Sequence, residues 1–279
     1  MKQRILTAIV GLILMAVVLV FYNTLFFNVA IAVVAAIGVY ELIHCAGHAK
    51  DTGLLVASLA FALAAPFLKL PGLPDLRTAA ILVYVFLIFT ILIAKHNTIQ
   101  IQALCFCGMS AVAVPFSLCS LIYVRDGQMG SGVSGLYYIL LIFALAWVCD
   151  GGAYFVGRKL GKHKMAPIIS PNKTVEGAIG GIVTNILFSI LFTLIFVKAA
   201  GWDATVNYGS LVLLAVVCSF LGMLGDLSAS AIKRQYKIKD FGNLMPGHGG
   251  VIDRFDSVLF VAPAFYMVIS FLPVLNFVS

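Results

Sequence analysis

Nine runs of apolar residues follow one another along the chain, most of them close to the roughly 20 residues a helix needs to cross a bilayer. They occupy about 5–22, 24–44, 54–70, 78–94, 101–124, 135–156, 178–198, 208–232 and 257–277. Inside lipid the backbone N–H and C=O groups of a segment must pair with one another, so such runs become helices. The chain therefore reads as all-α, a polytopic integral membrane protein of about nine transmembrane helices. The third run is the weakest, being short and interrupted by Pro66. The first follows Lys2 and Arg4, as a signal peptide would. No small-residue cleavage site comes after it and a second run begins at once, so it is read as a retained anchor. Charged residues are only 10% of the chain against about a quarter in soluble domains, which excludes an ordinary soluble fold.

Orientation follows from Lys and Arg. With the N-terminus in the cytoplasm, 14 of the 18 fall on that side, and only Lys69, Arg77, Arg125 and Lys198 fall outside. Nine spans then place the C-terminus, Ser279, outside. The net charge of +7 suits an anionic cytoplasmic leaflet of membrane lipids. Because the cations gather in two juxtamembrane loops, nucleic acid is not an expected partner. The six cysteines lie mostly within apolar runs, and Cys105-Phe106-Cys107 lacks metal-site spacing, so they are read as buried free thiols.

The chain divides into residues 1–130, a scaffold of greasy helices, and 131–279, a catalytic region with cytoplasmic loops 157–177 and 233–256. Glu41, His44 and His48 are read as the polar end of the second span. Asp150 and Asp226 lie inside predicted spans, where a charge costs several kcal/mol unless it faces protein or water. Asp150 precedes Arg158 by eight residues and Asp226 precedes Lys233 by seven, which puts both acids roughly 10–12 Å inside the cytoplasmic helix ends. Asp226, Ser230, Lys233 and Lys237 share the spacing of one helix face.

Pro246-Gly247-His248-Gly249-Gly250 must be a loop, and its backbone N–H groups could approach phosphate oxygens closely. Asp253 and Asp256 follow with Arg254 between them. The carboxylates of Asp226, Asp253 and Asp256 together suggest Mg2+, which works with substrate phosphates. Loop 157–177 adds cations, among which Lys173 is read as a ligand of phosphate. His248, flanked by glycines, has little to pack against and is read as touching the substrate or the metal shell.

Four stretches carry a family resemblance. Ser230-x2-Lys233-Arg234-x4-Lys239-Asp240 is followed by Pro246-x-His248-Gly249-Gly250-Val251-x-Asp253-Arg254-Phe255-Asp256. Upstream stand Trp147-x2-Asp150-x2-Ala153-Tyr154-x2-Gly157-Arg158 and Ser170-Pro171-x-Lys173-Thr174-x-Glu176-Gly177. Together they resemble the phosphatidate cytidylyltransferases, or CDP-diacylglycerol synthases, with Met245 where Ile or Leu is expected. The resemblance implies transfer of a cytidylyl group from CTP to phosphatidic acid, yielding CDP-diacylglycerol and pyrophosphate for phospholipid synthesis. It also implies Mg2+ with room for K+ nearby, a homodimer, and a bacterial cytoplasmic membrane with the active site facing the cytoplasm. By position, Asp226 and Asp253 would ligate the metal with Asp256 in support, and Lys233 and Arg234 would be catalytic. Asp150, Arg158, Ser170, Lys173, Ser230, Lys239, Asp240, His248, Gly249, Gly250 and Arg254 would bind substrate.

Three other readings differ in testable ways. A CDP-alcohol phosphotransferase would show D-x2-D-G-x2-A-R and later spaced acids, which are missing after Asp256. A CTP-dependent polyprenol kinase is closer in chemistry and is separated by its substrate. A transporter would place its acids mid-membrane in repeated halves, and no repeat is visible.

Overall fold

The computed structural model describes residues 2–70, 72–127, 135–247 and 249–277. In chain order the elements are α1 (Lys2–Val20), α2 (Leu25–Cys45), α3 (Thr52–Ala64), α4 (Arg77–Ala94), α5 (Ile101–Gly127) and α6 (Gly135–Leu160). Strands β1 (Lys164–Ala166) and β2 (Ser170–Thr174) precede α7 (Val175–Ala200), and β3 (Ala204–Val206) precedes α8 (Tyr208–Gln235). The chain continues through α9 (Ile252–Phe255), α10 (Val258–Phe271) and β4 (Leu275–Phe277).

Among the described residues six helices, α2 and α4 to α8, are long and apolar enough to cross a membrane. Of the other three apolar runs, the first forms α1, described in full over Thr7–Val20, and the third and ninth form shorter helices, Thr52–Phe67 and Val258–Phe271. Proline explains one of them. α3 stops at Ala64 and passes into a tight 3-10 turn over Ala65–Phe67, because Pro66 has no N–H to continue an α-helix. Large apolar side chains stand open on the long helices, Phe86 at 68% and Ile93 at 73% exposure on α4. Faces of that kind are stable against lipid and not against water, which makes this an integral membrane protein.

Two compact units are formed, Met1–Ile122 with Gln235–Arg254, and Tyr123–Arg234 with Phe255–Ser279. In the first, α2, α3 and α4 pack on an apolar core containing Ile43, Leu54 and Ala62. Few polar contacts pin it. Asn28 Nδ2 donates to the Pro66 carbonyl at 2.8 Å, and Ser58 Oγ meets Tyr84 Oη at 2.9 Å.

In the second unit α6 and α7 approach through small residues. A Cβ added at Gly181 would lie 2.8 Å from the Cys149 carbonyl oxygen, and one at Gly177 2.7 Å from that of Ala153. Without a hydrophobic drive between helices in lipid, such backbone contact and interhelical hydrogen bonds hold spans together. Asn185 of α7 supplies the bonds. Its fully buried amide donates to the Leu145 carbonyl of α6 at 2.7 Å and to Ser219 Oγ of α8 at 2.9 Å. Two antiparallel strand pairs, β1 with β2 and β3 with β4, make up the named strands among the described residues.

Candidate active site

The loop expected over 157–177 has more order than its composition predicts. Lys164 pairs with Thr174 and Ala166 with Ser170, so a short β-hairpin links α6 to α7. Thr174 ends it as the N-cap of α7, its Oγ1 accepting from Gly177 N at 3.1 Å. Glu176, in the first turn, accepts from the backbone N–H of Lys162 at 3.0 Å and of His163 at 3.2 Å. A carboxylate there also complements the helix dipole. Both ends of the hairpin are thereby fixed, and Lys173 is carried on its second strand.

Lys173 forms an ion pair with Asp226 of α8, both side chains about three-quarters covered. Ser230, one turn on, donates to Asp226 Oδ1 at 3.3 Å, as the helical spacing predicts. That stripe does not extend to Lys237. α8 ends at Gln235, and Lys237 sits at φ 55°, in the left-handed region where a helix cannot continue. Arg234 Nε donates to the Ile169 carbonyl at 3.3 Å, tying the end of α8 to the hairpin. Arg158 is exposed and its guanidinium donates to Tyr154 Oη at 3.1 Å.

Two more acids join Asp226. A Cβ at Gly225 would lie 2.4 Å from the Asp256 backbone oxygen, so α8 meets the start of α10 with backbone in contact. Asp256 is placed there, with Oδ1 accepting from Ser257 N at 2.7 Å. Burial, then the Asp226 carboxylate, push Asp256 up to about 7, with Lys233 opposing and Asp150 adding to the rise. Buried Ser257 donates through Oγ to Asp150 Oδ2 at 3.3 Å. Asp150, Asp226 and Asp256 thus share one neighbourhood in the second unit, with Lys173 and Lys233 as its cations. Ser170 is half-buried on the hairpin.

Among the described residues no three His, Cys, Asp or Glu side chains enclose an ion unaided. Mg2+ does not need them to, because it takes one or two carboxylates and completes its shell with substrate phosphates and water. Hard oxygen donors in excess over their neighbouring cations, with one acid held near neutrality by its surroundings, fit such an ion.

The other sequence-selected residues lie in the first unit. Asp253 Oδ2 accepts from the backbone N–H of Phe241 at 2.8 Å and of Gly250 at 3.0 Å, closing the 241–250 loop. Within it Met245 N donates to the Gly249 carbonyl at 3.1 Å, and Gly249 has φ 84°, which an L side chain rarely adopts. Gly249 and Gly250 are buried, whereas Lys239, Asp240 and Arg254 are exposed. His248 lies outside the described residues.

Glu41 has a larger part than the polar helix end expected of it. It is 4% exposed on α2, with Oε1 accepting from Val251 N and Oε2 from Ile252 N, both at 2.9 Å. A cavity of about 770 Å3 opens beside it, lined by Tyr40, His44 and Asp240 among others. The signal that singled out Asp150 and Asp226, an acid inside an apolar run, applies equally to Glu41. Ser257 gave no such signal, since a serine beside an acid is ordinary.

The chain matches the model of the "Cytidylyltransferase family" over residues 2–272. It is similar to a protein of Bacillus subtilis named phosphatidate cytidylyltransferase, 35% identical over 97% of this chain and 98% of the relative. Proteins of the same name from Staphylococcus saprophyticus and Staphylococcus aureus are 32% and 31% identical, each over 94% of this chain and 96% of the relative.

Proposed function

The chain belongs to the cytidylyltransferase family, and from that premise we propose that it transfers a cytidylyl group from CTP to phosphatidate. An oxygen of the lipid phosphate attacks the α-phosphorus of CTP and forms a new P–O bond. The bond from that phosphorus to the oxygen bridging to the β-phosphate breaks, and pyrophosphate leaves CDP-diacylglycerol behind. The nucleophile is already anionic near pH 7, so no side chain has to remove a proton. Catalysis then consists of positioning and of neutralising charge.

One observation carries the assignment of roles: the cluster of Asp150, Lys173, Asp226, Lys233 and Asp256 at the Lys- and Arg-rich ends of α6 and α8. Lys173 and Lys233 hold phosphate oxygens, with Asp226 aiming the Lys173 ammonium. Arg158 and Arg234 border the hairpin and add charge where the triphosphate enters. Ser230 steadies the Asp226 carboxylate, and Ser257 steadies Asp150. Asp226 and Asp256 would hold Mg2+, which when bound supplies a divalent charge against the phosphates. Asp253 is assigned the same task on the strength of its motif alone. The 245–250 loop offers backbone N–H groups to phosphate. Lys239, Asp240, His248 and Arg254 keep their proposed places in substrate binding by motif, as do K+ and a homodimer.

The topology we propose has nine spans, an internal N-terminus and an external C-terminus, with loops 157–177 and 233–256 facing the cytoplasm. It is supported by the Lys and Arg distribution and by the three remaining apolar helices, α1, Thr52–Phe67 and Val258–Phe271, which complete the count begun by the six. A site just below a cytoplasmic surface suits a lipid whose tails stay in the bilayer and a nucleotide that cannot enter it.

The test is an assay of the purified protein with CTP and phosphatidate, following pyrophosphate and the lipid product together. Equimolar release of the two is expected. CDP release with a polyprenol acceptor, and none with phosphatidate, would replace this reading with that of a kinase.

A further inference from the structure

We propose that Glu41 is a positioning residue for the reaction, holding the glycine loop in the form that accepts the triphosphate of CTP; this rests on the function proposed above. The loop is clamped twice inside the first unit. Asp253 gathers the N–H groups of Phe241 and Gly250, and Glu41 gathers those of Val251 and Ile252. Both clamps are carboxylates with bonds to backbone N–H groups, the stronger charge-assisted kind. Glu41 is the one that reaches the loop from another helix, across 210 residues of sequence.

The glycines confirm how closely the carboxylate is enclosed. A Cβ at Gly250 would stand 2.4 Å from Glu41 Oε1, and one at Gly242 would stand 2.5 Å from the same atom. The three nearest atoms to the Gly250 position all belong to Glu41, so the carboxylate is the first thing a side chain there would meet. Two glycines of the loop are therefore explained by one acid on α2. A buried polar side chain that merely packed would not need its partner chain stripped to hydrogen on two sides. Since Glu41 takes the N–H groups of residues 251 and 252, Asp253 those of Phe241 and Gly250, and the Gly249 carbonyl that of Met245, the donors for phosphate must come from the remaining glycines of the loop, Gly247 and Gly249.

The experiment uses the full-length protein in lipid–detergent micelles, with steady-state kinetics in CTP and phosphatidate varied separately. Glu41→Gln keeps the shape but can present only one oxygen to two donors, and its NH2 faces the other. A rise of about tenfold or more in the CTP KM is expected, with the phosphatidate KM within twofold of wild type. Gly250→Ala, which leaves the acid in place and pushes a methyl into it, should give the same CTP-selective loss. In a Glu41→Ala background the methyl has room, so adding Gly250→Ala there should cost far less than it does alone.

Equal effects on both KM values, or an alanine at 250 that costs as much with Glu41 removed as with it present, would overturn the proposal. So would a Glu41→Gln protein that cannot be recovered folded, when Gly250→Ala is kinetically normal. If wild type itself makes no pyrophosphate from these substrates, the functional reading falls; normal wild-type turnover with indifferent variants defeats this inference alone.

Discussion

Asp256→Asn should leave the metal-free protein nearly unchanged in stability at pH 4 and make it more stable at pH 8. Burial and the Asp226 carboxylate hold Asp256 at about 7, against 3.8 for an ordinary aspartate. Folding therefore favours the protonated acid. The stability this contributes is full below the unfolded value near 4 and is lost as the pH rises through 7. At about 1.4 kcal/mol per pH unit the ceiling is about 4 kcal/mol. Asp256 keeps some exposure and lies near Lys233, so about 2–3 kcal/mol is the expected size. For a protein this large that amounts to roughly 5–10 °C in Tm. Asparagine preserves the acceptor for Ser257 N while removing the charge, so the comparison isolates ionisation. Thermal unfolding in detergent with chelator, at pH 4, 5, 6, 7 and 8, should show the two proteins together at pH 4, diverging steadily up to about pH 7 and little further at pH 8. Added Mg2+ at pH 8 should raise the wild-type Tm and do much less for Asp256→Asn. Parallel profiles across the whole range, or a variant less stable at pH 8, would refute the reasoning.

Asp226→Asn and Asp253→Asn should each lower kcat by on the order of 10²-fold or more, without recovery on Mg2+ add-back to chelated enzyme; near-native turnover of Asp226→Asn would make it a packing residue. Lys173→Met should raise the CTP KM or depress kcat strongly and leave Asp226 without its ion-pair partner, while Lys69→Met should be nearly silent, as measured in the same pyrophosphate assay. Arg125, also expected outside, is a poor silent control, because it is 7% exposed and bonded to Asp126 at 2.7 Å, so its loss should show as instability. In a cysteine-free background, single cysteines at 163 and 279 should react with an impermeant thiol reagent in intact cells at 279 alone; labelling of 163 instead would invert the topology.

The long helices were legible because lipid imposes one rule on backbone polarity and the apolar runs obey it. Runs read as 24–44, 101–124 and 208–232 became Leu25–Cys45, Ile101–Gly127 and Tyr208–Gln235. The break at Pro66 was legible as well, whereas the end of α8 before Lys237 was not, because its left-handed backbone leaves no mark in the spacing. The hairpin at 164–174 escaped because Lys- and Pro-rich sequence carries no alternation; its order comes from Glu176 and Thr174 acting on neighbouring N–H groups. Of the site, Asp150, Asp226 and Ser230 could be found from spacing alone, since their logic is local to a helix. Glu41 could not be assigned its partners, since they lie at the far end of the chain. Asp256 drew notice for its motif, but its burial beside Asp226 depends on Gly225 admitting the backbone of another segment.

The backbone contact between α6 and α7 also limits how a two-tailed substrate can reach the cluster. At Gly177 and Gly181 there is no side chain to swing aside, and Asn185 laces the same pair to α8. A diacylglycerol moiety would have to pry apart helices that already touch, at the loss of buried hydrogen bonds that lipid cannot replace. That seam is closed to acyl chains, so a lipid reaching the acids from the bilayer would have to come by another flank.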